Sequence, residues 1–158
     1  MWLDYPQPGE HNFHLPNISG PSPDVPVTIV ASDPDWFRQH PAHLEGEGER
    51  WVAASGGEGL DSLTISLGEG VREDRAYRVR LYFSEPNDLA PGDRLFNVSI
   101  EGKPVLEQFD VVKEAGGRKR VLIKEFHPIA AGKSLRIDLE PVAGKTLLSG
   151  VEVIATED

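Results

Sequence analysis

The fold turns on the stretch YRVRLYFSEPNDLAPGDRLFNVSIEGKPV, Tyr77 to Val105. Tyr77, Val79, Leu81 and Phe83 fall on one face, and Arg78, Arg80 and Tyr82 on the other. That period of two is the mark of a half-buried strand. Phe96, Val98 and Ile100 repeat it. Two residues suffice to join a hairpin. A connection of about ten, over Pro86 to Arg94, therefore either carries function or spans a gap between two sheets.

Working outward, Gly102-Lys103 makes a tight turn into PVLEQFDVV, where Val105, Phe109 and Val111 share a face. AGGRK reads as a turn, VLIKEF as a strand, SLRIDLEP as a strand with Leu135, Ile137 and Leu139 together, and LLSGVEVI as the closing strand. Upstream, VPVTIVA, WVAAS (Trp51 to Ser55) and SLTISLG (Ser62 to Gly68) read as strands. SDPDWFRQH (Ser32 to His40) reads as a turn or a single helical turn begun by Ser32 or Asp33. The count is about nine strands, most of them about 8–18 residues apart with turn signals between them. Helix-forming runs such as KEAGG are cut by glycine. The expectation is all-β: two antiparallel sheets packed face to face as a β-sandwich, in one domain over 27–158. Residues 1–26 carry six prolines and read as an extended arm or linker that packs on the body through Trp2, Tyr5, Phe13 and Leu15.

Composition narrows the function. The 158 residues carry 26 acidic and 16 basic side chains, a net charge of −10, which repels phosphate backbones and disfavours a nucleic-acid partner. There is no cysteine, so thiol catalysis, disulfides and thiolate metal sites are excluded. No run approaches the roughly 18 apolar residues of a membrane helix. The start Met1-Trp2-Leu3-Asp4 has neither the basic residues nor the apolar run of a signal peptide, and reads as a piece of a longer chain.

Candidate chemistry is sparse. His11/His14 and His40/His43 have short spacing, but they sit in Pro-rich loops with no cysteine to complete a zinc site. Ser55 in ASGGEG is followed by a strand rather than the helix of a nucleophile elbow, and neither GGEG nor AGGRK opens a helix as a phosphate loop does. No cofactor is expected. Structural calcium is the one ion the oxygen-rich loops suit, with Asp33, Asp35, Asp88 and Asp93 as ligand sources and a solvated acidic surface as the competing reading. The loop aromatics say more. Trp36, Phe37 and Trp51 lie outside the regular inward pattern, where sugar rings stack on such side chains. The competing reading has them fill the ends of the sandwich.

Residues 77–153 resemble the malectin family of carbohydrate-binding domains. The family pattern is a strand ending F-A-E, a connecting loop, then G-x-R-x-F-D-V-x-I-x-G. Here it stands as LYFSEP and GDRLFNVSIEGKPVL, followed by FDVVKEAGG and LLSGVEV. WVAASGGEGLDSLTISL is similar to the early strands of bacterial malectin-like modules, which sit in large secreted or periplasmic multidomain proteins. The resemblance implies a jelly-roll-like antiparallel β-sandwich. It also implies a site on the loops at one end, built from aromatics and an aspartate that hold a glucose disaccharide. Where the family places two adjacent aromatics, this chain has Asn87 and Asp88, and AGKT offers no counterpart of the late aspartate. The expected function is a non-catalytic module, extracytoplasmic, that binds an oligo- or polysaccharide. Trp36 and Trp51 would stack on it, and Asn87, Asp88 and Arg94 would hydrogen-bond to it. The alternative is a protein-interaction or spacer module, without sugar binding, that packs on neighbouring domains of its parent chain. A glycosidase is the weakest reading, because no acid–nucleophile pair is legible.

Overall fold

A computed structural model of the chain describes residues 26–68 and 75–156. The expected arm, apart from Pro26, lies outside the described residues, and with it His11 and His14. Two antiparallel sheets face each other. The larger contains β1 (Val27–Arg38), β2 (Ser55–Ser66), β7 (Ser134–Ala143), β4 (Leu95–Ile100) and β5 (Lys103–Phe109), paired in that order. The short β8 (Leu147–Leu148) adds to the start of β2. The smaller sheet has β3 (Arg75–Phe83) between β6 (Leu122–Ala131) and β9 (Gly150–Ala155). The all-β sandwich read from the alternation is the observed class. Among the described residues no helix is long and apolar enough to cross a membrane.

The alternation explains the core. Val79, Leu81 and Phe83 of β3 are buried against Phe96, Val98 and Ile100 of β4 and Leu135, Ile137 and Leu139 of β7. Phe83, Phe96 and Phe109 form an aromatic trio with centroids 4.9 to 6.1 Å apart. Phe83 closes β3, Phe96 sits at the start of β4, and Phe109 closes β5. The trio therefore lies directly beneath the long connection. Since β3 and β4 belong to different sheets, the Pro86–Arg94 segment crosses from one sheet to the other.

Several local expectations are corrected. The stretch from Ser32 is not a turn: β1 continues through it to Arg38. The turn-forming residues are absorbed as a bulge, because Ala31 faces Leu60 and Asp35 faces Glu58, leaving residues 32–34 opposite Gly59 alone. Pro34, with no N–H to give a ladder, is tolerated at such a bulge. Gly59 has φ +67°, and a Cβ there would lie 2.0 Å from the carbonyl oxygen of Asp33. Trp51–Ser55 is not a strand as a whole: Trp51–Ala53 belong to α1 (Arg50–Ala53), and only Ser55 lies in a strand. Strand β2 instead begins at Ser55 and includes the glycines read as turn formers. Gly56 and Gly57 face Phe37 and Trp36 across the β1–β2 ladder, and a Cβ on either would come within 2.8 Å of those rings. Val111 is buried as expected, but in α2 (Val111–Ala115), capped by the Asp110 carboxylate on Lys113 N at 2.9 Å. The closing strand is split at Ser149 into β8 and β9, one in each sheet.

A second, smaller cluster of Leu44, Ala53, Ala54 and Val121 ties the return from β1 to β2 onto the start of β6. Glu45 N donates to Lys119 O, and Val121 N to Glu45 O. This pairing fixes the return from β1 to the segment that leads into β6.

Candidate functional site

At one end of the sandwich lie the ends of β1, β3 and β7, the starts of β2 and β4, and β8. Arg94 is the centre of this end. It is 4% exposed. Its Nε donates to Glu85 Oε2 at 2.7 Å, and Nη2 to Glu58 Oε2 at 2.6 Å and Glu85 Oε1 at 3.2 Å. Nη1 donates to the carbonyls of Lys145 at 2.8 Å and Thr146 at 3.3 Å. These five bonds match the five N–H groups of a guanidinium. Burial works against the charge of Arg94, yet the bonds from Glu85 and Glu58 outweigh it and hold its pKa above the ordinary arginine value. Arg94 thus has no donor left for a ligand. The expectation that it reaches a bound sugar gives way to a role inside the wall of the site.

Glu85 is fully buried and Glu58 is 8% exposed. Both also hold Asn87. The Asn87 backbone N–H donates to Glu85 Oε1 at 3.1 Å, and its side-chain Nδ2 to Glu58 Oε1 at 3.0 Å and Oε2 at 3.2 Å. The loop tip is pinned further on. Ala90 N donates to Asp93 Oδ2 at 2.8 Å, and Gly92 N to Asp110 Oδ2 at 2.7 Å. Asp88 is exposed and paired with Arg118 at 2.7 Å. The segment is therefore an Ω-like loop with its ends clasped by buried charge and its tip held by local turns.

The other walls come from β1 and from the β7–β8 connection. Lys145 Nζ bridges Asp35 at 2.7 Å and Asp33 at 2.9 Å. The bonds to Asp35 and then Asp33 raise the pKa of Lys145. Trp36, next to Asp35, is half-buried and packs on the main core, facing Gly57, the neighbour of Glu58. Trp51 lies on α1 and is 48% exposed, its Nε1 donating to Glu49 Oε2 at 2.6 Å. The structure thus gathers Asn87, Asp88 and Arg94 on one loop, with Trp36 on the strand that pairs with Glu58, and sets Trp51 on the return from β1 to β2.

The four acids considered for calcium have other partners: Asp33 and Asp35 hold Lys145, Asp88 holds Arg118, and Asp93 accepts from Ala90. Among the described residues no group of three or more His, Asp or Glu is placed to hold a metal ion. His40 caps a short 3-10 helix (Pro41–His43) by accepting from Ala42 N at 3.2 Å.

Sequence reading missed Glu58 and Glu85 by treating acids as surface. The phase of the strands would have found them. Tyr77, Val79, Leu81 and Phe83 point inward, and Glu85 is the next position of that face. Counting back from Ile100, Val98 and Phe96 reaches Arg94. Opposite charges at inward positions on both sides of a loop announce a buried pair.

The sequence pattern of the malectin domain family matches residues 64–155, more than half of the chain. The chain belongs to the malectin domain family. Domains of this family are carbohydrate-binding or extracellular interaction modules. Receptor-like protein 4 of Arabidopsis thaliana is 35% identical over 94 residues, covering 58% of this chain and 15% of that protein. A probable receptor-like protein kinase of the same plant is 30% identical over 96 residues, covering 52% and 12%. The chain spans only 12–15% of the length of these relatives. The extracellular domain of ANXUR1 from Arabidopsis thaliana shares the fold with a TM-score of 0.68 at 13% identity, over 82% of this chain and 40% of that one. A calcium-binding mutant of β-glucuronidase 2 from Bacteroides uniformis does so with a TM-score of 0.66 at 15% identity, over 82% and 14%. These two structural likenesses bear on the fold alone.

Proposed function

We propose that this domain is a non-catalytic carbohydrate-binding module of a larger extracytoplasmic protein. It holds an oligo- or polysaccharide at the loop end of the sandwich. The observation that carries the reading is the clasped Pro86–Arg94 loop, which presents exposed Asn87 and Asp88 at the same end of the sandwich as the end of β1 that carries Trp36. A preorganised polar loop suits a polyhydroxylated ligand, because little ordering free energy is lost on binding. Trp36 and Trp51 stack on sugar faces, Asn87 and Asp88 bond hydroxyls, and Arg94 supports them from within. The malectin family match and the receptor-like relative support the extracytoplasmic placement. A bacterial parent is the reading taken from the early strands, while the curated relatives are plant proteins.

A second reading, an interaction module docked on neighbouring domains, is favoured by one observation: polar Asn87 and Asp88 stand where family members carry aromatics. A glycan array probed with the purified domain separates the two. Specific binding supports the sugar module. A blank from folded protein supports the interaction module.

A further inference from the structure

Three edges of the two sheets are blunted. β1 carries Pro34 and its bulge, β5 carries Pro104 and breaks register twice against β4, and β6 carries Pro128 and a register shift against β3. β9 is also an edge, but it has no proline and pairs with β3 without a shift from Gly150 to Ala155. Thr156 N donates to Ala76 O. By the alternation of an antiparallel ladder, Val153 and Ala155 then turn their backbone N–H and C=O away from β3, along the outer edge of the small sheet.

The large sheet projects past this edge. Lys124 of β6 lies over the ring of Phe109 of β5, 5.6 Å from its centroid, so β6 covers the β5 side of the large sheet and β9 the β1 side. Val27, Ile29 and Ala31 of β1 pack on the main core yet stay half-exposed, whereas Leu63 and Ile65 of the neighbouring β2 are buried. Val153 of β9 is likewise half-buried against that core. The first half of β1 is thus an apolar ledge one strand wide, beside a regular sheet edge. A second copy of the domain does not fit there, because pairing β9 with its counterpart drives the two projecting β1 strands into one space. A single extended segment does fit.

The chain itself holds such a segment. It enters β1 at Pro26, next to Val27 at the start of the ledge, and residues 1–25 precede that point. Among them Asn12-Phe13-His14-Leu15 alternates polar and apolar residues with the period of a half-buried strand, and Pro16 ends the run. Residues 16–26 include Pro16, Pro21, Pro23 and Pro26. At about 3.1 Å per residue such a stretch reaches about 30 Å, well beyond the roughly 10 Å between packed sheets. The tether also holds the segment near the edge at an effective concentration of about millimolar.

We propose that residues 12–15 add to β9 as a further strand of the small sheet, with Phe13 and Leu15 laid on the ledge of Val27 and Ile29. Main-chain bonds to Val153 and Ala155 supply the attachment, and the two apolar side chains supply the register. The arm is then a strand of the sandwich rather than a linker.

Backbone hydrogen exchange on the full chain tests this. In the wild type the amides of Val153 and Ala155, which β3 does not hold, exchange slowly at rates independent of protein concentration. Fast exchange at both overturns the proposal, and protection that rises with concentration overturns it in favour of a second copy. In the double variant Phe13→Asp, Leu15→Asp these amides exchange roughly tenfold faster, the scale of one lost hydrogen bond. Ile154, paired with Arg78 of β3, keeps its protection and reports an intact sandwich. Unchanged protection of Val153 and Ala155 in the folded double variant overturns the proposal, since another segment then holds the edge. If the double variant does not fold, nuclear Overhauser contacts in the wild type decide. Contacts from Phe13 or Leu15 to the methyl groups of Val27 or Ile29 are expected, and their absence overturns the proposal.

Discussion

Glu85 and Arg94 meet at 2.7 Å inside the protein, and they are the two residues that flank the Pro86–Asp93 loop. Glu85 follows a strand of the small sheet, and Arg94 precedes a strand of the large one. A single ion pair thus closes the loop and joins the sheets. Arg94→Met leaves Glu85 charged, fully buried and without its main partner. The expected loss is about 3–5 kcal/mol in denaturant unfolding. Arg94→Lys recovers little, because an ammonium lacks the five-donor fork that reaches two carboxylates and two carbonyls. A loss below about 1 kcal/mol for both variants contradicts the clasp.

The sandwich was legible because its signal is the period-two burial of short strands, and Tyr77–Phe83 and Leu135–Leu139 carry it without interruption. The β1–β2 edge was not. Its residues Ser32, Asp33 and Pro34 have strong local turn preferences, which tertiary pairing overrides by extruding them as a bulge opposite Gly59. Trp51–Ser55 looked apolar enough for a strand, but a segment of that length does not separate strand from helix. The loop was legible as unusual, and its position between two sheets was one of the two readings open to it. The network beneath it was hidden, because Glu58 comes from a strand 29 residues before Asn87 and no local pattern links them.

Gly59 tests the bulge. Gly59→Ala combines a left-handed φ with a Cβ 2.0 Å from the Asp33 carbonyl. Gly92→Ala has a similar φ of +94° with nothing within 4 Å of the added carbon. The first variant should lose more than about 2 kcal/mol, and the second only about 1 kcal/mol of backbone strain. Equal losses in chemical denaturation would show that the carbonyl contact is unimportant.

Trp36 and Trp51 separate stacking from packing. Trp51 is half exposed and Trp36 rests on the core. Trp51→Ala should leave stability within about 0.5 kcal/mol and weaken glycan binding by about 1–3 kcal/mol. Trp36→Ala should lower both. Calorimetric titration of the glycan found on the array reads the affinities, and unchanged affinity in folded Trp51→Ala removes that residue from the site.

Tyr82 gives a pH signature. Burial, and then its hydrogen bond to Glu152 at 3.0 Å, raise its pKa above the ordinary tyrosine value. The neutral phenol is therefore favoured by folding. Its contribution is full below the unfolded pKa of about 10 and is lost as pH rises through the folded value. Wild type should lose stability faster than Tyr82→Phe above about pH 10. Parallel pH profiles of the two unfolding midpoints would contradict the assignment.

The central claim is that a sugar occupies the loop end. A titration of the 15N-labelled domain with the array-selected glycan, followed by two-dimensional NMR, tests it most directly. The account predicts shifts concentrated at Asp33–Phe37, Trp51, Asn87 and Asp88. Shifts centred on the opposite end, at the Glu101-Gly102 turn, or on the Arg78, Arg80 and Glu125 face of the small sheet would contradict it.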